Sequence, residues 1–256
     1  MKAVHAVIFV LLLFVTPNLQ ASDYAKEQRW ADQTVDTLVE GDAKWLQAGG
    51  HRFLAIYTGT KAANPKRGVI LLHGRGAHPD WRQVIYPLRT GLAERGMPTL
   101  SLQMPILPNE AKAIQYGPLI AEADPRIEAG IQFLKAQGIK EIVLVGHSLG
   151  TVMAAHYLAG GAPDIKAFVG VNIDVYSKDP RMDTLAFLRR IHIPVLDVYG
   201  GDSTPEVVDT AKQRIAAAHA AGNKAYRQIR IAGANQYFDD KDTVLLDTVS
   251  NWLSTL

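Results

Sequence analysis

The chain has 256 residues, of which 48% are apolar and 20% charged, with no low-complexity block, so it reads as a globular protein of one domain or at most two. Its formal charge of +2 comes from scattered basic residues, which excludes the clustered Lys/Arg footprint of a nucleic-acid-binding surface. It contains no cysteine, which rules out both a disulfide framework and lipid attachment through a thiol.

The first segment, MKAVHAVIFVLLLFVTPNLQA, carries Lys2, an apolar run over 3–15, Pro17 and the small residue Ala21. This is a signal-peptide pattern: the run is shorter than the roughly 20 apolar residues a spanning helix needs. The expectation is a leader over 1–21, export to the periplasm or beyond, and one domain over 22–256 with no integral membrane segment. A polar, helix-compatible stretch at 23–40 follows. Next come two short apolar runs flanking Gly49-Gly50, which read as a hairpin.

From residue 68 onward short apolar runs alternate with longer amphipathic segments. Strands are expected at 68–74, 98–105, 141–148, 165–174, 194–201 and 225–233, and helices at 81–95, 125–137, 149–159, 183–190, 206–221 and 242–253. Near-continuous apolar strands alternating with helices predict the α/β class: a mostly parallel sheet covered on both faces. The connections are short, so no large cap domain is expected. The segment 105–125 is read as a loop lining the entrance of the site.

Within this pattern GHSLG, residues 146–150, fits G-x-S-x-G between an apolar strand and an amphipathic helix. A serine on so sharp a turn exposes its hydroxyl, and the next N–H, that of Leu149, points to where an oxyanion would form. Upstream, LLHGRGAHPDW ends a strand in His73-Gly74 and adds Gly76. These features resemble the α/β-hydrolase family along nearly all of 68–253. More narrowly, LLHGRGAHPDW and RGMPTLSLQMP resemble the DUF3530 family of exported bacterial α/β-hydrolase-like proteins of unknown function. The resemblance implies Ser148 as nucleophile, the N–H of Arg75, helped by Gly76, as second oxyanion donor, and His73 as a brace of that loop and not a base.

Two positions depart from the hydrolase pattern. In PVLDVYGGDSTPEV the acid's place, counted from Gly200, falls on Ser203, with Asp202 one residue early; Asp174, at the end of the preceding strand, is the other candidate acid. In the last loop, GANQYFDD, the histidine's place holds Gln236, whose amide has no basic nitrogen. His51, His156, His192 and His219 are poorly placed to substitute, and His147 is expected to point away from the serine. His78, in the loop over the serine, is the candidate surrogate base.

The histidines show no ligand spacing with carboxylates, and HGRG lacks the Lys-Ser/Thr partner of a phosphate loop, so neither a metal nor a cofactor is expected. Two readings remain. One is an exported serine hydrolase of ester or other acyl bonds, weak or unconventional because its triad is incomplete. The other is a catalytically silent relative that binds a small acyl or peptide ligand in the cell envelope. A third, an envelope scaffold, is supported by the leader alone.

Overall fold

A computed structural model describes residues 22–256; the leader expected at 1–21 lies outside them. In chain order the elements are α1 (Tyr24–Thr37), β1 (Asp42–Ala48), β2 (His51–Thr58), β3 (Arg67–Leu72), α2 (Ile85–Glu94), β4 (Thr99–Leu102), α3 (Ala123–Ala136), β5 (Glu141–His147), α4 (Leu149–Ala159), β6 (Ile165–Val171), α5 (Thr184–Leu188), β7 (Val195–Gly200), α6 (Pro205–Val208), α7 (Ala211–Ala220), β8 (Tyr226–Ile231) and α8 (Asp242–Leu253). They build one eight-stranded sheet in the order β1-β2-β4-β3-β5-β6-β7-β8. β1 and β2 form the antiparallel hairpin, β2 meets β4 antiparallel, and β4 to β8 run parallel. This is the α/β-hydrolase fold expected from the alternating pattern.

Successive side chains of a strand face opposite sides of the sheet, and the central strands are apolar on both. Ile70 and Leu72 of β3 pack with Leu144 and Phe168 beneath α3 and α4, while Val69 and Leu71 pack with Val143, Val145 and Val169 beneath α2 and α8. Each of these fully buried side chains contributes about 1.5–3 kcal/mol by leaving water. α8 shows the complementary helical logic: Leu245, Val249 and Leu253, four residues apart, form its buried stripe.

Three elements differ from the sequence expectation for local reasons. The helix expected at 81–95 begins only at Ile85, because Val84 sits at φ 61°, ψ −57° in a γ-turn closed by Ile85 N–H on the Gln83 carbonyl at 2.6 Å. The helix expected at 206–221 is divided into α6 and α7 at Asp209 and Thr210. The loop expected at 105–125 contains a 3₁₀ helix, Ala113–Glu122, around Pro118; it buries Tyr116, Leu119 and Ile120 against the sheet's helical layer.

α1 is fastened to the body by charge. Asp23 caps it through the Lys26 N–H at 2.9 Å, and Glu27, fully buried, receives Arg126 Nη1 at 2.9 Å, Arg126 Nη2 at 3.1 Å and His51 Nε2 at 2.8 Å. Among the described residues no helix is long and apolar enough to cross a membrane.

Candidate active site

The segments that follow β3, β4, β5, β6, β7 and β8 at the C-terminal edge of the parallel sheet all contribute to one cleft around Ser148. That edge is where α/β sheets form their sites. Ser148 stands between β5 and α4 at φ 50°, ψ −123°, a conformation costly for any residue with a side chain. The surroundings hold it there. A methyl group on Gly150 would lie 2.2 Å from the Leu72 carbonyl oxygen, and one on Gly74 would lie 3.1 Å from Ser148 Cβ, so β3, its following loop and the serine turn are in backbone contact.

The hydroxyl of Ser148 donates to Asp174 Oδ2 at 2.8 Å. Asp174 lies just past β6, is buried, and receives a second bond from the Tyr176 hydroxyl at 3.2 Å. Burial raises its carboxyl to about 6; the bonds from Ser148 and Tyr176 pull against that rise, and the nearby charge of Glu206 adds to it. Burial likewise raises the Tyr176 phenol, so it remains a proton donor at neutral pH. Of the two candidate acids, Asp174 is therefore the one in contact with the serine. Asp202 is exposed, with its backbone N–H bound to the Ala234 carbonyl at 2.9 Å. Asp197, inside β7, is held by Arg214 Nε at 2.7 Å, Tyr226 and Gln228.

Gln236 does not bond to Ser148. Its side-chain oxygen accepts a hydrogen bond from the Ser203 hydroxyl, and its backbone carbonyl receives His147 Nε2 at 3.0 Å and Asn172 Nδ2 at 2.9 Å. Asn172 also accepts the Gly200 N–H at 2.9 Å, so this one buried amide ties together the ends of β6 and β7 and the loop after β8. His147 lines the cleft, contrary to the expectation that it points away. Because Nε2–H donates to the Gln236 carbonyl, the buried Nδ1 is a bare lone pair with no partner among the described residues. Burial lowers this imidazole to about 4.

The other expected participants are placed as follows. His73 accepts the Met104 N–H on Nε2 at 2.9 Å and so carries its proton on Nδ1, which donates to the Gly74 carbonyl at 2.9 Å. Burial lowers it to about 3; it is a neutral clamp between the loops after β3 and β4. Arg75 and Gly76 line the cleft beside the serine. No turn or loop bond among the described residues engages the N–H of Arg75 or of Leu149. His78 does not face the cleft. Its ring packs edge-on near Trp30 and Trp81, at centroid distances of 6.0 and 5.4 Å, in a neighbouring groove. No imidazole nitrogen among the described residues bonds to the Ser148 hydroxyl.

The cleft over Ser148 encloses about 510 Å³ and is walled by Arg75, Trp81, Ala113, Tyr176, Glu206 and Tyr237, among others. Sequence reasoning missed Asn172 and Tyr176, although both lie within two residues of Asp174.

Solved structures of similar fold include esterases and other hydrolases. Est1E from Butyrivibrio proteoclasticus superposes with a TM-score of 0.65 at 17% identity, covering 84% of this chain and 98% of that one. The Pyrococcus furiosus esterase Pf2001 gives 0.66 at 15% identity, with 87% and 95% covered. A predicted CIB-like hydrolase from Thermoplasma acidophilum gives 0.63 at 13% identity, with 84% and 99% covered. At such identities the likeness is one of fold. No curated protein matches the sequence. A family model described as a protein of unknown function, DUF3530, matches residues 17–118 and 120–255, and the chain belongs to that family.

Proposed function

We propose that this protein is an exported hydrolase of ester or other acyl bonds in which Asp174 performs the proton transfer that an imidazole performs in a full triad. The observation that carries the reading is the 2.8 Å bond from the strained Ser148 hydroxyl to a buried carboxylate. Burial brings the proton affinity of Asp174, at about 6, close to the roughly 6.5 of a free imidazole, so the thermodynamic drive to accept a serine proton is similar.

In this reading Ser148 Oγ attacks the acyl carbon while its proton passes to Asp174. Negative charge develops on the carbonyl oxygen, which the N–H groups of Leu149 and Arg75 stabilise. As the tetrahedral intermediate collapses, Asp174 returns the proton to the departing oxygen, leaving an acyl-serine. Water then repeats the sequence, losing a proton to Asp174 and releasing the acid. The arrangement is slower than a triad for an electrostatic reason. A triad base becomes a cation beside the forming oxyanion and stabilises it, whereas Asp174 only becomes neutral.

A second reading, a silent pocket for a small acyl or peptide ligand, is favoured by the Ser203–Gln236 bond, which fills the positions of acid and base with neutral groups. A fluorophosphonate probe and 4-nitrophenyl butyrate separate the two. Slow labelling and turnover that both vanish in Ser148→Ala and fall at least about 100-fold in Asp174→Asn support the hydrolase. An unlabelled serine with no Ser148-dependent turnover leaves the binding role. Export is supported by the leader pattern and is checked by N-terminal sequencing of the protein recovered from the periplasm.

A further inference from the structure

A second groove opens beside the serine cleft, and one residue, Trp81, belongs to both. It encloses about 290 Å³ between α1 and the loop after β3, and its walls are Trp30, Gln33, Thr34, Thr37, His78 and Trp81. We propose that it is a subsite for a neutral sugar unit, so that the acyl group processed at Ser148 is carried by a carbohydrate; this rests on the hydrolase reading for the chemistry but not for the binding.

The walls select this ligand by elimination. Among the described residues no carboxylate, guanidinium or ammonium group lines the groove. The Lys26 ammonium lies 4.4 Å from the Trp30 ring centroid, held there by the Leu107 carbonyl at 2.7 Å and Asn109 Oδ1 at 2.8 Å, so a cationic ligand stacked on that indole would meet a fixed positive charge. Burial lowers His78 below the usual imidazole range, which weakens it as a partner for an anion. A wholly apolar ligand would strip water from polar groups it could not satisfy. His78 Nδ1 accepts the Asp80 N–H at 3.2 Å, which puts its proton on Nε2, where no acceptor stands among the described residues. The Gln33 amide likewise has no partner among them.

Two indoles therefore line the groove beside one amide, one imidazole N–H and two threonine hydroxyls, whose protons go to His78 Nδ1 at 3.4 Å and the Gln33 carbonyl at 2.9 Å and which keep lone pairs to accept with. A pyranose matches this division, with C–H groups across its ring faces and hydroxyls that both donate and accept around its edge. Continuity through Trp81 sets the direction: the sugar lies in the Trp30 groove and its ester bond reaches Ser148.

The test uses the ¹⁵N-labelled protein, whose four indole N–H signals report separately on Trp30, Trp45, Trp81 and Trp252. Titration with cellotetraose and with triacetylchitotriose is expected to shift Trp30 and Trp81 while Trp45 and Trp252 stay in place. Gln33→Ala, an exposed change on α1, is expected to weaken that response, and Trp30→Ala to abolish the Trp81 shift. Binding should survive in Ser148→Ala. On an acetylated oligosaccharide, Trp30→Ala is expected to lower kcat/KM relative to 4-nitrophenyl acetate by about tenfold. Absence of shifts at millimolar sugar, equal shifts at all four indoles, or shifts at Trp30 and Trp81 with benzoate but not with sugar would each overturn the proposal. If the sugars bind yet no ester is turned over, the subsite stands and the hydrolase reading fails.

Discussion

The side chains of Ser203 and Gln236 are hydrogen-bonded to each other at the two positions where the hydrolase pattern puts the acid and the histidine. The pair keeps the contact but reverses its direction, since the hydroxyl in the acid's place donates where a carboxylate would accept, and it removes both the negative charge and the basic nitrogen. What remains near Ser148 is a different carboxylate, Asp174, reaching it directly from the end of β6.

Restoring the imidazole alone is expected to do little. In Gln236→His the ring's partner would be the Ser203 hydroxyl, which can orient an imidazole but cannot stabilise its positive charge. Asp202 cannot supply that charge, because it is exposed and lies one residue away from the contact. The double variant Ser203→Asp/Gln236→His is expected to raise kcat/KM on 4-nitrophenyl butyrate by about 10² or more over the single variant. Equal rates for single and double variants would mean that the Ser203 position does not act on residue 236.

The pH profile of the unaltered protein separates an Asp174 base from an imidazole one. The carboxylate is the competent form, so kcat/KM should rise with pH through about 6 and stay level above it. His147, lowered to about 4, would produce its inflection two units further down. Initial rates between about pH 4.5 and 8 distinguish the two, and Asp174→Asn should flatten the limb near 6.

Asp174 also marks a stability cost. Its folded-state value of about 6 exceeds the 3.8 of an ordinary aspartate, so the folded chain holds this proton more tightly than the unfolded chain does. That contribution favours folding fully below about pH 3.8 and is lost as the pH rises through about 6, a change of about 3 kcal/mol. Asp174→Asn removes the charge and is expected to raise Tm at pH 7.5, with the advantage shrinking toward pH 4. Thermal melts of both proteins across that range give the comparison.

Much of this was legible in the sequence, and the parts that were not share a cause. α4 and α8 match their expected bounds because each is set locally, one by the serine turn, the other by a stripe of apolar residues four apart. Ser148 was legible for the same reason. Choosing between Asp174 and Asp202 was not possible from spacing, since the reach of a loop carboxylate depends on the path of the chain, and one step along the loop turned Asp202 to solvent and Ser203 toward Gln236. His78 misled because proximity in a loop says nothing about which side of it a ring occupies; Trp30, contributed by α1 some fifty residues earlier, draws it into the other groove. The late start of α2 required a β-branched residue, Val84, at positive φ, which no propensity argument anticipates.

The anchoring of α1 is expected to depend on Arg126 more than on any apolar contact of that helix. Glu27 is fully buried and paired with this guanidinium, so Arg126→Met leaves a carboxylate in the interior supported only by His51. Breaking such a pair from one side costs about 3–5 kcal/mol, whereas replacing both partners by apolar groups of similar volume is close to neutral. Arg126→Met should therefore speed amide exchange across Tyr24–Thr37, and Glu27→Met/Arg126→Met should recover part of the protection. Equal exchange in the two variants would place the anchoring elsewhere.

The serine turn itself is expected to be intolerant at Gly150 and tolerant at a glycine that looks equally special. A methyl group at Gly150 would meet the Leu72 carbonyl oxygen at 2.2 Å and the His73 carbonyl oxygen at 2.7 Å, both of them backbone atoms at the C-terminal end of β3 that have no rotamer to escape into. The added volume must push α4 away from β3, which is expected to cost about 3 kcal/mol or more. It would also move the Ser148 hydroxyl off Asp174, because the turn is what aims it. At Gly76 the backbone is left-handed, with φ +70°, but among the described residues nothing beyond its chain neighbours lies within 4 Å of the position a Cβ would take. Gly76→Ala thus pays only the conformational penalty, about 1–2 kcal/mol. Denaturant melts should rank Gly150→Ala well below Gly76→Ala, and only the former should abolish fluorophosphonate labelling at a temperature where both proteins remain folded. The reverse ranking would show that left-handed strain, rather than the contact between β3 and α4, limits this turn.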